Sequence, residues 1–163
     1  MYFIISIMVI VVDQICKLYV KNFLSRYSQI SVLNGLLKIV YLENTGAAFG
    51  ILKNSRYIFI ISTVVIVAGL LYVIYKKNVT GKIFKTGAAL IVGGGLSNLI
   101  DRVFLGYVVD YIKLSFFAPV CNIADYCITA GTVLLVIYIL KYSEKGKNNW
   151  VIKFIGEVIK WVS

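Results

Sequence analysis

Ionised carboxylates are costly in an apolar setting, yet this chain keeps four aspartates, Asp13, Asp101, Asp110 and Asp125, all beside long hydrophobic runs. Asp110 and Asp125 lie close together in the stretch "VVDYIKLSFFAPVCNIADYC". Two carboxylates sharing a site cannot both ionise cheaply, so one holds a proton while the other is free to accept one. That division of labour suits general acid–base chemistry, in which one group takes a proton while the other gives one. It calls for neither a metal nor an organic cofactor. The chain has no histidine, which removes Ser-His-Asp triads, Cys-His pairs and histidine-ligated metals. Its cysteines, Cys16, Cys121 and Cys127, form no CxxC and no zinc spacing, and read as buried thiols packing as small hydrophobes. A Cys121–Cys127 disulfide stays open.

Each polar group also has a plainer reading. Asp13 and Lys17 stand at i,i+4 with the acid first, the favourable order for a pair on one helix face, and read as a structural pair. Asp125 serves equally as the N-cap of a following helix. Ala89, Gly93, Ser97 and Asp101 step by four along one stripe, and Asn98 neighbours both Asp101 and Arg102. Small residues on such a stripe permit close helix contact. The "GGG" run at 93–95 is therefore a packing feature rather than a phosphate loop.

The elements that position these groups are membrane spans. A composition 60% hydrophobic, in 163 residues with a single proline, leaves too little polar surface for a soluble domain. Four segments are long enough to cross a bilayer: about 1–21, 57–75, 83–100 and 124–140. The first lacks a basic leader and carries Asp13, so it reads as a span and not a signal peptide. The net charge of +10 fits lysines at membrane surfaces; no aromatic–basic interleaving points to nucleic acid. The turn 76–85 has four lysines and no acid, and the tail from Lys141 has five. Lysine density of this kind places both termini in the cytoplasm. Every aspartate then falls towards the outer face. The segment 22–56 is extracytoplasmic, with "ISVL" and "LLKIVYLEN" reading as short strands and "NGL" and "NTG" as turns. Residues 1–142 form the four-span domain. In the tail 143–163, Lys153, Gly156, Glu157 and Lys160 share one helical face, predicting a helix in the inner interface.

Five blocks now carry a resemblance: "DQICK" (13–17), "ENTGAAFGIL" (43–52), "GGGLSNLIDRV" (93–103), "VVDY" (108–111) and "CNIADY" (121–126). In order, they resemble the signature blocks of prolipoprotein signal peptidase, the type II signal peptidase of bacteria. The resemblance implies an intramembrane aspartyl endopeptidase of the bacterial cell membrane. Such an enzyme removes signal peptides just before a diacylglyceryl-modified cysteine, with prolipoproteins and membrane lipids as partners. Matched residue by residue, the catalytic aspartates fall on Asp110 and Asp125. Asn44, Gly46, Asn98, Asp101, Arg102, Asn122 and Ala124 fall on positions lining the site, and Asp13 and Lys17 on the first-span pair. Cys121 departs from the family, which usually carries an aromatic there, and the stretch between the aspartates is shorter than usual. A monomer is favoured. Other classes remain: a small transporter whose aspartates relay ions, a membrane scaffold, or a Ser-Lys protease using Ser97 and Lys17.

Overall fold

The computed structural model describes residues 1–24, 29–46, 55–76 and 81–143. The tail 143–163, with its expected interfacial helix, lies beyond the described residues apart from Ser143, as does part of the lysine turn. Four helices dominate: α1 (Tyr2–Phe23), α2 (Arg56–Lys76), α3 (Lys82–Phe104) and α4 (Ile123–Ser143). All four are long and apolar enough to cross a membrane, and their bounds sit within a few residues of the expected spans. No described side chain of α2 is buried, as befits a helix that is apolar all round and turned to lipid.

Small residues make α3 the hub of the bundle. Its stripe meets α1: Ser6 Oγ donates to the Ala89 carbonyl at 2.8 Å, and a methyl group added at Gly93 would stand 2.8 Å from the Ser6 carbonyl oxygen. Gly94, turned about 100° from it, faces α4, where an added methyl would stand 2.5 Å from the Ala124 carbonyl oxygen. Lower down, Gly87 and Gly131 allow α3 and α4 the same approach. Arg56 Nη2 donates to the Val103 carbonyl at 2.8 Å, tying the start of α2 to the end of α3. Thus α1 runs parallel to α3, and α2 and α4 run antiparallel to it. The C-terminal ends of α1 and α3 and the N-terminal end of α4 all come to one end of the bundle.

A four-stranded antiparallel sheet stands at that end, in the order β1 (Ile30–Val32), β2 (Leu37–Asn44), β3 (Val108–Leu114) and β4 (Val120–Cys121). Strands were expected only between the first two spans. The sheet takes half its strands from the connection between α3 and α4, because "VVDYIKL" pairs with β2 along nearly its whole length. Leu33, Asn34 and Gly35 all take positive φ in the turn between β1 and β2, a conformation that asparagine and glycine adopt readily. The β2–β3 register slips between Ile39, opposite Ile112, and Leu42, opposite Asp110. Two residues of β2 therefore face one of β3, which is a bulge.

Candidate active site

Asp110 and Asp125 meet because the chain doubles back between them. In the β3–β4 hairpin Ile112 pairs with Cys121, so Asn122 and the first turn of α4 arrive beside Asp110. The next bonds are reciprocal. Asn122 Oδ1 accepts the Asp125 N–H at 2.9 Å, and Asp125 Oδ2 accepts the Asn122 N–H at 3.1 Å. This is a capping box. The cap expected from Asp125 belongs instead to Asn122, since the helix begins at Ile123, and Asp125 is its partner three residues on.

The remaining amide of Asn122 reaches the other acid, with Nδ2 donating to Asp110 Oδ1 at 2.7 Å. Asn44 Nδ2 donates to Asp110 Oδ2 at 2.7 Å, and its own Oδ1 accepts the Gly46 N–H at 3.0 Å. The bulge makes this contact. With uninterrupted pairing from Ile39–Ile112, Tyr41 would oppose Asp110, and Glu43 would take the place that Asn44 now holds, adding a third carboxylate. Asn98 Nδ2 donates to Asp125 Oδ1 at 2.9 Å. All four carboxylate oxygens of the pair thus accept an N–H.

Asp110 is 1% exposed. Burial pushes its carboxyl up to about 7 and the nearby Asp125 charge adds to this, while Asn44, Asn122 and the charge of Lys17 pull the other way. The pair opens on a cavity of about 510 Å³ bordered by Asn44, Gly46, Asn98, Arg102 and Cys121, with Phe59 and Thr63 of α2 as its far wall. The Arg102 guanidinium lies 4.8 Å from the centre of the Phe59 ring. Among the described residues, no three His, Cys, Asp or Glu side chains cluster as metal ligands.

Asp101, Asn122 and Ala124, expected as lining, do not border this cavity. They stand behind it. Asn122 is buried between the two acids, and the Ala124 N–H donates to Asp13 Oδ1 at 3.2 Å. Asp101 turns to α1, where the Asp13–Lys17 pair becomes a triad: Lys17 Nζ lies 2.7 Å from Asp13 Oδ2 and 3.0 Å from Asp101 Oδ2. Asp13 also accepts from Ser97 Oγ at 2.7 Å and from the Tyr111 hydroxyl at 3.1 Å. One carboxylate therefore joins α1, α3, β3 and α4. With its hydroxyl committed to Asp13 and no exposed surface, Ser97 is not placed as a nucleophile.

Two contributors went unread in the sequence. Gln14 Nε2 donates to Asp101 Oδ1 at 2.8 Å and to Ser97 Oγ at 3.1 Å; it follows Asp13 and precedes Lys17 by three, which is its only signal. Tyr111 alternates with Asp110 on β3, so it faces the opposite side, towards Asp13. The cysteines are free thiols, and burial, with Asp125 and Asp110 beside it, pushes the Cys121 thiol up to about 11.

The sequence matches the family model described as signal peptidase (SPase) II over residues 5–141. The chain belongs to the signal peptidase II family. Among curated members it is 40% identical over 147 residues to the lipoprotein signal peptidase of Halothermothrix orenii, covering 90% of this chain and 99% of that protein. It is 42% identical over 150 residues to that of Clostridioides difficile, with the same coverages. A bacterial membrane enzyme solved by the in meso method at 2.3 Å superposes on this signal peptidase II member with a TM-score of 0.84 at 32% identity, covering 91% and 92% of the two chains. A second, solved at 1.9 Å, gives 0.79 at 33% identity, covering 86% and 92%.

Proposed function

We propose that this signal peptidase II family member removes signal peptides from prolipoproteins by an aspartic mechanism, with Asp110 and Asp125 as the catalytic dyad. The cut falls before the diacylglyceryl-modified cysteine. Family membership supports the peptidase activity, and one observation carries the mechanism: Asn122 bonds both aspartates at the wall of a cavity large enough for a peptide segment. Asp110, buried and raised to about 7, is the resting place of the proton. Asp125 takes a proton from water as the oxygen attacks the scissile carbonyl, and the Asp110 proton stabilises the developing oxyanion. The leaving amine then takes a proton from Asp125, which restores the pair.

Lysine density supports a bilayer orientation with both termini cytoplasmic and the sheet end outside. Acyl chains then remain in lipid while the scissile bond meets water at the outer edge. The test is a purified-protein assay on a lipid-modified precursor peptide, with products identified by mass. Cleavage before the modified cysteine is expected. Ion or solute flux through reconstituted vesicles without cleavage would favour the transporter class instead.

A further inference from the structure

The three asparagines that serve the acids share one arrangement: each side-chain oxygen is occupied by an N–H donor, so only its NH2 is left for an aspartate. For Asn44 that donor is the Gly46 N–H, and for Asn122 it is the Asp125 N–H. Backbone supplies both, so they are fixed by the fold. Asn98 lies within α3, where helix bonds occupy the neighbouring N–H groups, and its orientation needs another source. Lys17 Nζ donates to Asn98 Oδ1 at 2.8 Å; Asn122 Nδ2 also donates to that oxygen, at a longer 3.1 Å, and lies 3.4 Å from the Val109 carbonyl as a second acceptor.

We infer that Lys17 is a positioning residue, whose buried ammonium holds Asn98 in the one orientation that donates to Asp125. This rests on the dyad reading above and goes beyond the role of Lys17 in an ion pair. An amide rotated by 180° exchanges donor for acceptor with almost no change of shape. Rotated so, Asn98 would present oxygen to the Asp125 carboxylate, and repulsion would drive that side chain from its place. An ammonium has donors only, so it accepts one orientation and rejects the other. Lys17 is well suited to this. It is 2% exposed and does not border the main cavity, and its three contacts with Asp13, Asp101 and Asn98 match its three N–H bonds.

The charged and titratable groups around it are Asp13 and Lys21 on its own helix, Asp101 on α3, Tyr111 and Asp110 on β3, and Asp125 on α4, with Arg102 of α3 beside the two acids. The positive charge of Lys17 draws Asp110 downward. Its removal therefore carries a second signature: Asp110 holds its proton to higher pH.

The test uses the full chain in detergent and the lipid-modified precursor peptide. Lys17→Met alone leaves Asp13 and Asp101 without a counter-charge and can prevent folding. The informative variant is Lys17→Met/Asp101→Asn, which removes one charge of each sign. Its reference is Asp101→Asn, in which Lys17 is retained. The double variant should fall about a hundredfold below the reference in kcat, with KM within twofold and the alkaline limb of its pH profile moved upward. An unchanged kcat, or a loss carried by KM, overturns the inference, and so does a profile reduced in height without moving, which marks a merely structural role. Should the double variant not fold, the side-chain amide protons of Asn98 in 15N–1H spectra of the wild-type protein decide. Exchange as slow as at Asn122 supports fixation by Lys17, and exchange as fast as at an exposed amide overturns it. An active Asp125→Asn enzyme would instead defeat the dyad itself, a result distinct from all of these.

Discussion

Asn122 and Asp125 each close the other's bonding: the asparagine oxygen takes the aspartate N–H, and the aspartate oxygen takes the asparagine N–H. A capping box is an ordinary way to start a helix. Here it also fixes the carboxylate that faces the cavity, and the spare amide of the cap reaches Asp110. Helix initiation and site geometry are one set of bonds.

Substitution by asparagine separates those roles. Asp125→Asn keeps one oxygen for the Asn122 N–H, so the helix start should lose only about 1 kcal/mol, with about 1–3 kcal/mol more because its NH2 meets the Asn98 amide instead of accepting from it. Activity should fall at least about a thousandfold, because the amide cannot exchange a proton. Asp110→Asn should do the same, and the double variant should be hardly worse than either. Cleavage rates beside thermal unfolding in detergent check this; a folded, active single variant sinks the mechanism.

The raised Asp110 carboxyl links pH to both activity and stability. Free aspartate ionises near 4 and Asp110 near 7. Within that window the folded protein keeps a proton that the unfolded chain has released. The stabilising contribution is complete below about 4 and is lost as pH rises through about 7. Asp110→Asn cannot ionise, so its stability relative to wild type should improve from pH 4 to pH 8, on top of a constant cost from setting its NH2 against the Asn44 or Asn122 amide. Wild-type kcat/KM should decline above about pH 7 as the pair loses its shared proton. A flat profile up to pH 9 would contradict the assignment.

Asp13 is expected to matter for folding first. Asp13→Ala removes the acceptor shared by Lys17, Ser97, Tyr111 and the Ala124 N–H. Breaking a buried pair from one side costs about 3–5 kcal/mol. Thermal unfolding should show a loss of that order, and a wild-type midpoint would show that the junction carries little.

The glycines of α3 make a sharper comparison. Gly94→Ala sets a methyl group against the Ala124 carbonyl, beside Asp125, and should displace the start of α4 and lower both activity and stability. Gly69→Ala on α2 meets nothing within 4 Å and should be neutral or slightly stabilising through helix propensity. Equal behaviour of the two would refute the packing role.

Much of this was legible in the sequence because helices obey simple arithmetic. The stripe from Ala89 to Asp101 and the spacing of Asp13 and Lys17 follow from 3.6 residues per turn, and the structure brings both to one seam. What stayed hidden depends on partners distant in the chain. Strand β3 carries an aspartate amid its β-branched residues, and its pairing with β2 crosses two spans. The bulge that exchanges Glu43 for Asn44 beside Asp110 exists only in the register between those strands. The pinning of Asn98 depends on a lysine from another helix, which no local pattern in α3 announces.

Asp125 is the third residue of α4, and the cavity continues inward past it only to Ile128 and Thr129, about one helical turn. The two carboxylates therefore occupy a single level of the bundle, and with the dyad proposed above the enzyme would work as a depth gauge. A bond would then be selected by its height above the end of the apolar segment as well as by the side chains around it. Four extra residues in a helical substrate segment would lift the bond about 6 Å, past the carboxylates, with its local sequence unchanged.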